Sequence, residues 1–143
     1  MVSRRLFYSM VVVFAAVLLC SPTVAETVSP TYEIGGIWSN GRDPGGFYVF
    51  QNGDQVRSTY VNREFTMFYS GRYVSATVVD GVWLRKNRRN GCVTKLQERF
   101  SVVNADTLNA EWEVLDSSCD LQRGKKGTDT LNRQKAVEDK LWY

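Results

Sequence analysis

The residues of this chain best suited to chemistry are its cysteines and carboxylates, because the sequence contains no histidine. Without histidine, neither a Ser-His nor a Cys-His nucleophile pair can form, and the commonest nitrogen ligand of zinc is missing. Cys92 and Cys119 then have three interpretations: a disulfide, a metal pair or a catalytic thiol. An even pair of cysteines in an exported domain favours a disulfide. We therefore expect a Cys92–Cys119 disulfide, no metal site and no cofactor.

Two carboxylates fall on what read as neighbouring strands, Glu98 and Glu111. A glycosidase pair needs its carboxyl groups about 5–10 Å apart in a cleft. The alternation of the chain places Glu111 with the outward residues, which favours a solvated surface position. Glu98 shares a face with Leu96 and Phe100, which predicts a charge at a strand end or a buried carboxyl that needs a partner. We expect a non-enzymatic protein, with a carboxylate hydrolase as a remaining alternative.

Short strands separated by turn signals must position these side chains. Asn52-Gly53 is a strong hairpin signal, because both residues tolerate positive φ. Residues 107–115 alternate between apolar and polar side chains, as expected of a strand with one buried face. Asp80-Gly81 reads as a second hairpin turn, which ends a strand over 71–79. Residues 62–70 then form a connection between strands.

The strand spacing favours one all-β domain. The pattern predicts about eight short strands with tight turns and no long helix, which indicates an antiparallel meander. Such a meander covers its edges best by closing into a barrel, so we expect a single antiparallel eight-stranded up-and-down barrel over 34–133. Its interior either fills with side chains or holds one small ligand. A two-sheet sandwich is the alternative. Residues 26–33 are expected to be a flexible lead-in, and 134–143 a C-terminal tail.

Residues 1–25 are typical of a cleavable signal peptide. Two arginines precede an apolar stretch that ends at Cys20, and a small residue, Ala25, closes the segment. The apolar stretch is about 15 residues long, shorter than the roughly 20 that span a bilayer. A retained anchor and a lipid attached to Cys20 are the alternatives. We expect cleavage, no transmembrane anchor afterwards, and a periplasmic or secreted protein.

The net charge of +3 includes two arginines of the predicted leader, so the remaining domain is close to neutral. A nucleic-acid-binding domain would need a strong basic excess, so nucleic acid is not an expected partner. Basic runs occur at 85–89 and 123–126. They are interpreted as solvated hairpin loops, or else as contacts to an anionic glycan or lipid headgroup.

A series of short motifs resembles the avidin and streptavidin branch of the calycin barrels. The motifs occur in the same order as in that family and cover much of residues 35–133. They are Gly36-Ile37-Trp38-Ser39-Asn40, Ser58-Thr59-Tyr60, Gly71-Arg72-Tyr73 with Ser75-Ala76, Asn109-Ala110-Glu111-Trp112 and Gly127-Thr128-Asp129-Thr130.

This resemblance implies a ligand site at the mouth of the barrel. In the family, Asn, Tyr, a small hydroxyl residue and Asp hold a urea-like head group, and Trp side chains enclose an apolar tail. The matching positions here are Asn40, Tyr60, Trp112 and Asp129. Asn62 occupies the place of the hydroxyl residue that follows the Tyr by two positions. A barrel mouth needs only a few such polar groups and aromatic walls to orient a ligand.

The resemblance also implies structural roles for Trp38 and Arg133, because in calycins a basic residue of the last strand crosses the Trp of the first. Such a cation–π contact contributes about 0.5–2 kcal/mol. The sequence departs from the family along the sixth strand. The family has Ser, Thr and Trp there at alternate positions, whereas the spacing from Arg89-Asn90 places Val93, Lys95 and Gln97 at those positions of this chain. The loop before Gly127 also contains no Trp. We therefore expect a shared fold without tight biotin binding.

Two functions follow as expectations. The first is an exported, non-enzymatic barrel that binds a small molecule of unknown identity at its mouth. The second is an envelope or secreted accessory subunit with a filled barrel, which contacts a protein partner through residues 62–70, residues 85–89 and the tail. Either function permits a homo-oligomer.

Overall fold

Eight antiparallel strands close into one barrel in the computed structural model, which describes residues 27–42 and 46–135. Each strand pairs with its neighbours in the chain, and the last strand returns to the first through the Trp38–Arg133 pair. The strands are β1 (Gly36–Ser39), β2 (Phe47–Asn52), β3 (Gln55–Val61), β4 (Phe65–Ser75), β5 (Val78–Asn87), β6 (Val93–Asn104), β7 (Thr107–Ser117) and β8 (Lys126–Arg133).

This topology confirms the predicted all-β, up-and-down barrel. The predicted signal peptide (1–25) and the tail from residue 136 onward lie outside the described residues. Within 27–42 and 46–135, no helix is long and apolar enough to cross a membrane.

Alternation along the strands builds the core, because successive side chains of a strand point to opposite faces of the sheet. β6 alternates strictly between exposed and buried residues from Val93 to Val102, and β3 buries Val56, Ser58 and Tyr60. The predicted inward set of β7 is also found, with Leu108, Ala110 and Val114 buried and Trp112 partly buried. Full burial of one large apolar side chain contributes about 1.5–3 kcal/mol to stability.

The predicted turn at Asp80-Gly81 is wrong, because both residues lie inside β5. The chain instead turns at Ala76-Thr77, and residues 65–70 belong to β4 rather than to a connection. Gly71 pairs directly with Gly81 across the two strands. A Cβ on either glycine would lie 2.5 Å from the Tyr69 hydroxyl oxygen. These glycines therefore provide space for a ring and do not form a turn.

The segment before β1 covers one end of the barrel. Thr31 N–H donates to the Ala76 carbonyl at 2.8 Å, and the Tyr73 hydroxyl donates to the Tyr32 carbonyl at 3.1 Å. Val28 and Tyr32 pack against the buried core. We call this end of the barrel the closed end, because these contacts attach the segment before β1 to β4 and to the β4–β5 turn.

Trp38 and Arg133 lie together at the closed end. The Trp38 side chain is 0% exposed, and its indole N–H donates to the Ile34 carbonyl at 2.8 Å. The Arg133 guanidinium carbon lies 4.7 Å from the Trp38 ring centroid. The same guanidinium donates to the carbonyls of Gly35 at 2.5 Å and Glu33 at 2.6 Å. Arg133 therefore holds the segment before β1 against the last strand, β8.

At the opposite end, which we call the mouth, a disulfide joins two connections. Cys92 precedes β6 and Cys119 follows β7, and their Cα atoms are 5.4 Å apart in the bond. The predicted disulfide is therefore confirmed. Because structural disulfides persist in oxidising compartments, this one indicates such an environment for the protein.

Candidate functional site

The barrel interior contains a cavity of about 1050 Å³ that extends from the mouth toward the closed end. Residues of the mouth connections border it, among them Asn40, Asn62 and Leu121, while Ile34 lies at its far end. Its remaining wall is mostly aliphatic and aromatic. The apolar wall residues include Phe47, Val49, Val56, Met67, Leu96, Phe100, Leu108 and Leu131.

All five ligand-binding residues predicted from the sequence line this one cavity: Asn40, Tyr60, Asn62, Trp112 and Asp129. Four of them form two hydrogen-bonded pairs, and Asn40 Oδ1 accepts from the backbone N–H of Arg42 at 3.0 Å. The Asn62 side-chain amide donates to the Tyr60 hydroxyl at 3.1 Å. The Trp112 indole donates to Asp129 Oδ2 at 3.1 Å. The Asn40 side chain lies in the β1–β2 connection at the mouth.

Two of the predicted residues, Asn62 and Asp129, make further contacts that fix their positions. Asn62 Oδ1 accepts from the backbone N–H of Glu64 at 2.8 Å and of Phe65 at 2.7 Å, so it shapes the tight β3–β4 turn. Asp129 Oδ1 forms an ion pair with Arg42, a mouth residue that the sequence patterns did not single out. A ligand at Asp129 therefore meets a carboxylate already oriented by an indole and a guanidinium.

Deeper in the cavity lies a carboxyl group, that of Glu98, which is only 8% exposed. The Trp83 indole N–H donates to Glu98 Oε2. Burial raises the pKa of Glu98 from 4.5 to about 8, while the hydrogen bond from Trp83 acts in the opposite direction. Glu98 is thus the buried carboxyl that its sequence neighbours suggested, and it is largely un-ionised at neutral pH.

Two hydroxyl groups accompany this carboxyl. Ser58 Oγ and Tyr69 Oη are buried, and neither has a hydrogen-bond partner among the described residues. Both side chains line the cavity. Burial raises the pKa of Tyr69 above its usual range, with a further contribution from the negative charge of Glu98. Buried polar groups normally find partners, so unpaired hydroxyls facing a cavity are suited to a bound molecule.

An arc of five aromatic rings lines the same part of the cavity. Phe47 stacks on Tyr60 with ring centroids 4.7 Å apart, and its other contact is with Trp83 at 5.9 Å. Tyr69 lies 5.2 Å from Trp83 and 5.2 Å from Phe100. These rings can enclose an apolar group or face a cation.

Positive charge surrounds the mouth. Arg63, Arg85 and Lys125 line the cavity together with Arg42, and Arg85 lies 3.5 Å above the Phe65 ring. The two basic runs of the sequence, at 85–89 and 123–126, both border mouth connections. The disulfide brings these two connections together.

The three positions of β6 that spacing matched to the Ser, Thr and Trp of the avidins do not line the cavity. Val93, Lys95 and Gln97 are exposed on the outer face of β6, and the inward series begins at Thr94 and includes Glu98. A shift of one residue moves every side chain of a strand to the other face. Spacing counted from the preceding turn could not show which face of β6 each residue occupies.

The structure supports neither a carboxylate pair for hydrolysis nor a metal site among the described residues. Glu98 points into the barrel while Glu111 is exposed, so the pair considered for hydrolysis lies on opposite faces of the sheet. No group of three or more Cys, Asp or Glu side chains within the described residues could hold a metal ion.

Comparisons with protein-family models, with curated proteins and with solved structures give no match to this chain. The closed eight-stranded antiparallel barrel is compatible with a calycin-like fold. A fold of this kind hosts many functions, so function has to be inferred from the cavity.

Proposed function

We propose that this protein is an exported, non-enzymatic β-barrel that binds a small, largely apolar molecule in its interior. The observation that supports this most directly is the cavity of about 1050 Å³. Ligand sites are typically cavities of about 300–1,000 Å³ with apolar walls and a few polar groups. The interior has this composition, with aromatic and aliphatic walls and a small set of oxygen and nitrogen atoms.

The ligand enters through the mouth, because the segment before β1 and the Trp38–Arg133 pair occupy the other end. Asn40, Tyr60, Asn62, Trp112 and Asp129 then form the rim that orients it, as the resemblance to avidins implies. The Trp112 indole packs over Gly127, where a Cβ would collide with the ring. That packing holds one wall of the entrance in a fixed position.

Export is supported by the predicted signal peptide and by the disulfide, which forms in oxidising compartments. The alternative of an accessory subunit with a filled barrel has less support, because it does not account for the cavity. A protein partner or a second copy on the outer surface is compatible with the proposed function.

The test uses a neutral fluorescent probe, N-phenyl-1-naphthylamine, with the purified oxidised protein. Ser58 and Thr59 are adjacent on β3, and Ser58 faces the cavity while Thr59 faces outward. We expect saturable binding with a fluorescence increase in the wild type and in Thr59→Trp. Ser58→Trp places an indole across the interior. We expect the affinity of this variant for the probe to be about tenfold lower than that of the wild type, or 1.4 kcal/mol.

The matched pair distinguishes the interior from the outer surface. Equal probe affinity in both variants would place the probe outside the barrel and remove the support for the proposal. Near-ultraviolet circular dichroism confirms that each variant is folded before its affinity is interpreted.

A further inference from the structure

We propose that the inner part of the cavity is a subsite for a protonated amine, with Glu98 as its counter-charge and Ser58 and Tyr69 as additional acceptors. This inference rests on the proposed ligand-binding function and names the chemistry of one end of the ligand. Nothing in the resemblance to avidins assigns these three residues.

Strand register places the three groups on two adjacent rungs of the barrel, and the Tyr69 side chain reaches from one rung to the other. Ser58 of β3 pairs with Tyr69 of β4. Glu98 of β6 pairs with Gly81 of β5. The Tyr69 hydroxyl lies directly over Gly81, only 2.5 Å from where a Cβ would be. The absence of side chains at Gly71 and Gly81 thus lets the Tyr69 hydroxyl reach the rung on which Glu98 lies.

These groups lack the partners that a closed core would supply. Ser58 and Tyr69 are each 3% exposed, and their hydroxyls have no hydrogen-bond partner among the described residues. Glu98 accepts one hydrogen bond, from Trp83, and forms no ion pair with any described residue. A buried acid without a cation is costly to ionise, so a cation supplied by the ligand would have a specific place to bind.

An ammonium group fits this arrangement better than an alcohol or a carboxylate. It has three N–H donors and no acceptor, which matches one carboxylate and two hydroxyl oxygens. The surrounding rings of Trp83, Tyr69 and Phe100 present π faces and edges, and faces attract cations. An alcohol offers a single donor, and a carboxylate has neither a donor nor the positive charge that Glu98 lacks. The basic mouth then faces the other end of the ligand.

The other charged groups near Glu98 do not supply its counter-charge. On β4, Tyr69 faces it. On β5, Asp80 is paired with Arg99 on the outer face of the sheet, at 2.7 Å. Glu111 and Glu113 of β7 also belong to the outer face. The cavity-lining charges at the mouth are Arg42, Arg63, Glu64, Arg85, Lys125 and Asp129.

Binding of an ammonium group must be coupled to loss of a proton. The ligand keeps its own proton, and the carboxyl proton of Glu98 passes to the buffer. With the pKa of Glu98 at about 8 in the free protein, affinity should rise roughly 50-fold between pH 6 and pH 8. A neutral ligand of the same shape leaves the proton in place, so its affinity should not change over this range.

The experiment compares octylamine with 1-octanol by isothermal titration calorimetry at pH 6, 7 and 8, in two buffers of different ionisation enthalpy. Octylamine stays protonated throughout. We expect octylamine affinity to rise about 50-fold from pH 6 to 8 with release of nearly one proton at pH 7, and octanol affinity to stay constant. Glu98→Gln should lose the preference for the amine and keep octanol binding. Glu111→Gln, an exposed acid on β7, should behave as the wild type.

The outcomes separate this inference from the proposed function. Octanol binding without octylamine binding, or octylamine affinity that is independent of pH and of Glu98→Gln, would overturn the amine subsite and leave the ligand-binding barrel intact. Binding of neither probe, nor of N-phenyl-1-naphthylamine, would overturn both. Near-ultraviolet circular dichroism of Glu98→Gln shows whether its lost amine binding comes from the site or from misfolding. If Glu98→Gln is misfolded, the pH dependence and proton release of the wild type decide the question.

Discussion

Replacing Glu98 with Gln should remove a large part of the pH dependence of folding stability. Burial raises the pKa of this carboxyl from 4.5 to about 8 in the folded protein. The folded state therefore favours the protonated form, and the stability associated with it is fully present below pH 4.5 and is lost as pH rises through 8. From pH 5 to pH 9 this loss amounts to about 4 kcal/mol. That is a substantial share of the roughly 5–15 kcal/mol typical of a domain.

The assay is urea unfolding of the oxidised protein at pH 5, 7 and 9, without ligand. We expect the wild-type free energy of unfolding to fall between pH 5 and 9 by about 4 kcal/mol more than that of Glu98→Gln. Glutamine keeps a carbonyl oxygen that can accept from the Trp83 indole, so the substitution removes the titrating group and retains the hydrogen bond. Glu111→Gln is the matched control, because Glu111 is exposed and its substitution should leave the wild-type slope unchanged.

Parallel pH profiles for the wild type and Glu98→Gln would refute this reasoning. They would mean that Glu98 ionises as easily in the folded barrel as in the unfolded chain, through water or movement of the side chain. The amine subsite would then lose the buried, uncompensated acid on which it depends.

Two further predictions concern the fold. Cys92 and Cys119 are separated by 27 residues, so replacing both with Ser should lower the free energy of unfolding by about 3.5 kcal/mol on the chain-entropy account. Calorimetry should show a melting temperature lower by roughly 10–15 °C, and an unchanged value would indicate that the bond does not restrict the unfolded chain. Gly81→Ala should cost about 1–3 kcal/mol in urea unfolding, because its Cβ would collide with the Tyr69 ring. Exposed Ser70→Ala is the control, and an equally small effect in both variants would contradict the packing of Tyr69 over Gly81.

The sequence by itself predicted the features that depend on local patterns. Alternation marked the strands, and Asn52-Gly53 indicated a hairpin, which forms between β2 and β3. The two cysteines of the domain indicated their own pairing. Side-chain period and turn preference are properties of a few neighbouring residues, so they are readable without a structure.

The predicted rim residues also depended on local motifs, and the structure places all five around one cavity. The motifs specified neither their internal pairs nor the ion pair between Asp129 and Arg42. The Tyr60–Asn62 pair spans only two residues of the chain. The Trp112–Asp129 pair and the Arg42–Asp129 ion pair instead join β7, β8 and the β1–β2 connection, and nothing local to any of these segments determines their distance.

Only the tertiary structure decided the meaning of Gly81 and Glu98. A glycine beside an aspartate favours a turn locally, but at Gly81 the missing side chain makes room for a Tyr69 ring from the neighbouring strand. A glutamate between apolar residues predicts either a strand end or a buried charge, and strand register places Glu98 inside the barrel beside Trp83. Both outcomes depend on which strands pair and in which register, because cross-strand contacts determine what a side chain meets.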